Sequence, residues 1–135
     1  MKILKWIIVV LLVIIGVLLI FSATQPDQTK VEESIVIDSQ PSQIYNEIID
    51  FRTWGNWSVW NQMDSNMTSE YSEEIGVVGA SSEWESKIAG DGRQEIVELR
   101  PNEYIKTMLQ FNGWEGKNYS EFILTETDGE TELVW

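Results

Sequence analysis

The chain has 135 residues, with nine Lys/Arg against 22 Asp/Glu and neither histidine nor cysteine. That length suits one domain rather than two, and the missing residue types remove Ser–His and Cys–His nucleophile pairs, thiolate chemistry and the usual zinc sites. A net charge of −13 supplies no basic stripe to neutralise phosphates, so nucleic acid is excluded as a partner.

The first element is apolar throughout. Residues 6–21, "WIIVVLLVIIGVLLIF", carry no charge, and with their neighbours they give about 20 residues, the length that spans a bilayer core of ~30 Å. We read residues 1–24 as a transmembrane anchor, with 3–23 in the membrane. The competing reading is a cleaved signal peptide, whose apolar region is shorter, about 7–15 residues, and ends in small residues at the −3 and −1 positions. Here Phe21 or Ser22 would stand at −3. Lys2 and Lys5 precede the span, so the Lys/Arg bias predicts a cytoplasmic N-terminus and a domain on the periplasmic or extracellular side. Beyond Lys5 the chain holds seven basic residues against 22 acidic ones, a net charge of −15. Its soluble partners are expected to be neutral, apolar or cationic.

A polar linker is expected at 25–30, followed by a domain over 31–135. "VEESIVID" (31–38) alternates as a strand does. "SQPSQIYNEIIDF" predicts a helix of about ten residues, with Ser39 as cap, Pro41 in the first turn and Ile44, Ile48 and Phe51 on one stripe. "FRTWGNWSVW" then spaces Trp54, Trp57 and Trp60 three apart. Gly55 and Asn56 argue against a long α-helix, and a short tight helix would bring the three indoles together. From 67 onward, six short alternating segments separated by Gly, Asn, Asp and Pro predict an antiparallel meander. The fold class is therefore α+β.

Chemistry-bearing constellations are few. "DSNMTSE" (64–70) spaces oxygen side chains as a calcium loop does, but Ser69 and Ile75 replace the required Gly and Glu. It reads as a capped turn, and neither metal nor cofactor is expected. In "EWE" (83–85) the glutamates share one face and Trp84 the other, with Ser82 and Ser86. Burial of Trp84 would place Glu83 and Glu85 in water, where they are solubilising charges. The opposite orientation would bury a carboxylate and raise its pKa. Alternation puts Ile105, Thr107, Leu109 and Phe111 on one face and pairs Phe122 with Leu124. It places Ile96 opposite Val97 and Leu99. Arg52 is expected to pair with Asp50 or cap the preceding helix.

"SIVIDSQPSQIYNEIIDFRTWGNWSVWNQMD", with "GVVGASSEWES", "IVELRPNEYIKTMLQF" and "FILTETDGETELVW", resembles the membrane-anchored SRPBCC (polyketide cyclase/dehydrase-like) proteins of the START/Bet v 1 helix-grip superfamily, over about residues 30–135. The resemblance implies a curved antiparallel sheet gripping a long C-terminal helix around a hydrophobic cavity. The sequence departs from it by stopping at Trp135 without that helix, and a truncated reading frame is the expectation. The alternative is a protein partner or self-association that covers the open sheet. The expected function is binding of a hydrophobic small molecule or lipid without catalysis. The candidate cavity residues are Trp54, Trp57, Trp60, Trp84, Leu109, Phe111 and Phe122. Two alternatives stand beside it: a cyclase- or dehydratase-like enzyme using a buried carboxylate, and an envelope interaction module.

Overall fold

The computed structural model describes residues 2–23 and 29–135. Two units are compact in themselves, residues 1–31 and 32–135. Most of the expected linker, 25–28, lies outside the described residues.

In the first unit, α1 (Lys2–Ala23) is a helix of 22 residues, about 33 Å long at ~1.5 Å per residue. Its window Lys5–Ser22 has a mean hydropathy of 2.8, and its large side chains, among them Trp6, Leu12 and Ile20, are exposed. A helix apolar on every side is long enough to cross a membrane, and a signal sequence meets the same description.

The second unit is a seven-stranded antiparallel sheet with its helical segments inserted after the first strand. β1 (Ser34–Ile37) leads to α2 (Pro41–Ile49), a 3₁₀ helix (Phe51–Asn56) and α3 (Val59–Met63). The strands β2 (Thr68–Tyr71), β3 (Ser81–Glu85), β4 (Gly92–Arg100), β5 (Tyr104–Phe111), β6 (Asn118–Thr127) and β7 (Glu130–Val134) follow. Their order is β1-β7-β6-β5-β4-β3-β2. The meander from β2 to β7 is the one expected, and β1 closes onto its last strand.

Pro41 sets the start of α2. A proline at the first helical position makes Gln40 the N-cap, and Gln40 makes no side-chain cap bond. Ser39, the expected cap, stands one residue too early. Its hydroxyl donates to Gln43 Oε1 at 2.7 Å, and its carbonyl accepts from Thr131 Oγ1 at 2.7 Å. That second bond ties the helix entry to β7. The predicted stripe is buried: Ile44, Tyr45 and Ile48 pack on Ile105, Phe122 and Leu124, and Phe51 packs with Ala80 and Ile96. Burial raises the Tyr45 hydroxyl pKa above its usual value. Ile96 and Ile105 have no exposed surface, and each such side chain contributes roughly 1.5–3 kcal/mol of apolar burial.

One expectation fails in β4. Ile96 pairs with Thr107 and Leu99 with Ile105, with a register shift between Ile96 and Glu98. Thr107 and Ile105 are two apart on β5 and share a face, so Ile96 and Leu99 share it too. A β-bulge at Val97 adds the extra residue that simple alternation does not count.

The β3–β4 connection is held by side chains. Asp64, at the end of α3 and buried, accepts from Ser86 Oγ at 2.7 Å and from the Asn66 N–H at 2.9 Å. Ser86 Oγ accepts the Ala89 N–H, and Asp91 accepts the Ser86 N–H. The "DSNMTSE" stretch is thus a capped turn leading into β2. Within the hairpin, Trp84 lies across Gly92. A Cβ at Gly92 would meet Trp84 Cζ2 at 2.5 Å and the Gln110 carbonyl oxygen at 2.9 Å.

Two outcomes follow. The Ser86 hydroxyl, then the Asn66 N–H, hold the Asp64 pKa below its ordinary 3.8. A depressed carboxylate adds stability above its unfolded pKa and loses it as pH falls through the folded one. Asp64→Ala should therefore lower the urea midpoint at pH 7, and its difference from the parent should close as pH drops below 3.8. A gap that stays constant to pH 2 would count against the assignment. Gly92→Ala should cost about 1–3 kcal/mol, because the Trp84 indole must shift and a backbone oxygen also stands in the way. Urea titration followed by indole fluorescence would measure it.

Candidate functional site

Antiparallel pairing divides the sheet into two faces of opposite chemistry. The face under α2 presents Ser82 and Trp84 from β3, then Gly92, Gln94, Ile96 and Leu99 from β4. β5 adds Ile105, Thr107, Leu109 and Phe111, and β6 adds Ser120, Phe122 and Leu124. No Asp, Glu, Lys or Arg occupies a helix-facing position of β3, β4 or β5. The outer face carries the charges. Arg93 bridges Glu83 at 3.2 Å and Glu95 at 3.0 Å, and Lys106 pairs with Glu121 at 2.8 Å. The Glu121 carboxylate, as hydrogen-bond acceptor, raises the Lys106 pKa.

This segregation decides how the carboxylates are read. Trp84 is part-buried while Glu83 and Glu85 are exposed, the solvated orientation. Glu121 also faces outward. Among the described residues Asp64 is the buried carboxylate, and its hydrogen bonds hold it ionised, the opposite of a group poised to give up a proton. Asp50 is likewise held below its usual pKa, chiefly by the Arg52 side chain, which donates to it at 2.8 and 2.9 Å. Asp50 also accepts the Arg52 N–H and caps the 3₁₀ helix. No group of three or more His, Cys, Asp or Glu able to hold a metal occurs among the described residues.

The seven candidate cavity residues fall into two groups and one outlier. Trp54 packs edge-on against Phe51 and Phe122 (5.3 and 6.2 Å between ring centres) and tilts against Trp57 at 4.8 Å. Its Nε1 donates to the Ile48 carbonyl at 2.9 Å, which fixes the indole beneath the end of α2. Trp84 meets Phe111 edge-on at 5.9 Å and donates from Nε1 to the Gly90 carbonyl. Leu109 lies on the same face beside Phe111, and both are part-buried. Trp60 stands apart, 55% exposed and without a ring partner among the described aromatics. The three indoles therefore do not cluster as the regular spacing suggested. The 3₁₀ helix ends at Asn56, and α3 begins a separate turn after Ser58, so Trp60 belongs to another element.

Between the two aromatic groups lie four polar side chains, Ser82, Gln94, Thr107 and Ser120, of which alternation put Ser82 on the Trp84 face and Thr107 on the Leu109 face while Gln94 and Ser120 were not singled out. Each occupies an inward position of its strand. A polar residue at an inward position of an alternating strand was the available signal.

A concavity of about 500 Å³ lies where β2–β5 meet the β5–β6 turn. Trp84 and Phe111 contribute to its lining beside Glu70, Glu83, Glu85 and Arg93. Its charged side chains belong to the outer face, whereas Trp84 and Phe111 belong to the helix-bearing one.

No protein-family model matches the chain, and no curated protein matches it. Solved structures do. The Aha1 dimer from Colwellia psychrerythraea is similar at 20% identity with a TM-score of 0.59, over 79% of this chain and 73% of that one. Protein CV1439 from Chromobacterium violaceum is similar at 18% identity and a TM-score of 0.56, over 77% and 76%. The Mll3558 protein from Rhizobium loti is similar at 16% identity and a TM-score of 0.55, over 77% and 73%. At these identities the likeness is one of fold: residues 32–135 form an α+β domain of the helix-grip-like kind, a seven-stranded antiparallel sheet with a helix on one face.

Proposed function

We propose that this chain is a membrane-anchored domain that binds a hydrophobic small molecule or a lipid on the helix-bearing face of its sheet and acts by binding rather than by catalysis. One observation carries the reading. That face is uncharged across β3–β5, and beyond the reach of α2 it holds part-buried Trp84, Leu109 and Phe111, which solvent still touches. Apolar side chains at a partly open sheet face, with a few convergent polar groups, are what a site for an apolar ligand requires. The fold supports it as a scaffold only, since function lives in the site. The apolar helix α1 and the Lys2/Lys5 charge bias support a single span with the acidic domain outside.

Two measurements test the reading. The full chain in phosphatidylcholine nanodiscs should be labelled on β4 and β5 peptides by a photoactivatable diazirine hydrocarbon, and labelling confined to α1 would defeat it. The sequence has no cysteine, so Glu115→Cys, at an exposed position between β5 and β6, gives a unique topology probe. A membrane-impermeant maleimide should label it in intact cells. Labelling only after lysis would reverse the orientation.

A further inference from the structure

The helix-bearing face contains a polar band whose side chains have no hydrogen-bond partner among the described residues. Ser82 lies directly opposite Gln94, and Thr107 opposite Ser120. Gln94 pairs with Leu109 and Ile96 with Thr107, so the two pairs are one step apart along the strands. The four side chains thus run diagonally across β3, β4, β5 and β6. Trp84, Leu109 and Phe111 flank the band on one side, and Ile96, Ile105 and Phe122 on the other. Ser82 is 5% exposed, Gln94 9% and Thr107 2%. None of the four side chains hydrogen-bonds to another described residue, yet no described side-chain N or O is both fully buried and unpaired, so their polar atoms keep some contact with solvent. Elsewhere the fold pairs such groups: Ser86 with Asp64, Thr131 with the Ser39 carbonyl. A ligand's polar group can replace the solvent that satisfies the four side chains of the band.

Resting on the binding function proposed above, we infer that the ligand is an uncharged amphiphile, whose hydroxyl, ester or amide group is held by Gln94, Thr107 and their neighbours while its hydrocarbon lies on Trp84, Leu109 and Phe111. Gln94 offers both donors and an acceptor, and the hydroxyls do the same. A carboxylate ligand would meet no cation on the helix-facing side of β3–β5 and would enter a domain with six basic and 21 acidic residues. Charge selects against it; the amide and hydroxyls select for a neutral polar group.

The test uses the full chain in phosphatidylcholine nanodiscs at pH 8, with photoactivatable monoacylglycerol, fatty acid and plain hydrocarbon probes of equal chain length. Labelling of β4 and β5 peptides should favour the monoacylglycerol over the fatty acid by roughly three- to tenfold, the factor expected for one or two net hydrogen bonds. Gln94→Leu and Thr107→Val should each remove most of that preference, keep hydrocarbon labelling, and leave the urea midpoint unchanged or higher. Equal labelling by the two amphiphiles in the parent, or a preference that survives both substitutions, would overturn the inference while leaving the binding function standing. A lower urea midpoint in both variants would also overturn it, by showing the band to be structural. Absence of hydrocarbon labelling on β4 and β5 would remove both.

Discussion

The bulge at Val97 is the constraint on which the rest of the domain depends. An uninterrupted β4 would alternate from Gly92 to Arg100 and turn either Ile96 or Leu99 away from α2. With one extra residue, Ile96 faces Thr107 and Leu99 faces Ile105 on the same side. Ile96 then joins Phe51 and Ala80 in one cluster, and Leu99 packs against both clusters. The bulge also keeps Gln94 and Gly92 inward on the β3 side of the strand, which lets Trp84 lie flat across Gly92. A single unpaired residue thus sets both the core beneath α2 and the face beyond it.

Segregation of charge follows from that register. A domain with 21 acidic residues must place them where water screens them, because an unpaired carboxylate in an apolar interior is costly. Strand alternation sends Glu83, Glu85, Glu95, Glu98 and Glu121 to one side, and Arg93 and Lys106 interleave with them. The exposed pairs contribute little individually. Their consequence is what they leave behind, a helix-bearing face that is uncharged across three central strands.

Much of this was legible in the sequence, for physical reasons that differ by element. The strands were readable because each alternates and ends at Gly, Asn, Asp or Pro, and α2 because Ile44, Ile48 and Phe51 repeat at helical spacing ahead of the Trp-rich turn. The Glu83–Trp84–Glu85 orientation followed from the drive to bury an indole. The bulge was not legible, since nothing in "QEIVELR" marks which residue is extra, and the neighbouring strand decides it. The cap of α2 was misplaced by one residue because Pro41 and Ser39 compete to define the start, and proline, with its fixed φ, wins. The even spacing of Trp54, Trp57 and Trp60 suggested one element. The backbone changes helix type between Trp57 and Val59, which only tertiary packing reveals.

Those three tryptophans show how one motif divides between stability and function. Trp54 has its N–H bonded to Ile48 and its ring against Phe51, Trp57 and Phe122, so it locks the end of α2 to the sheet. Trp60 has no such bond and is 55% exposed. An indole left largely in water forgoes most of its apolar burial, so the fold does not need it there. The polar band is the converse case. Gln94 and Thr107 make no side-chain hydrogen bond to the described residues, so their polar groups do not tie the strands together. Residues that a fold tolerates at a cost are where binding is expected to leave its mark. In this chain Gln94 and Thr107 lie on the uncharged side of β3–β5.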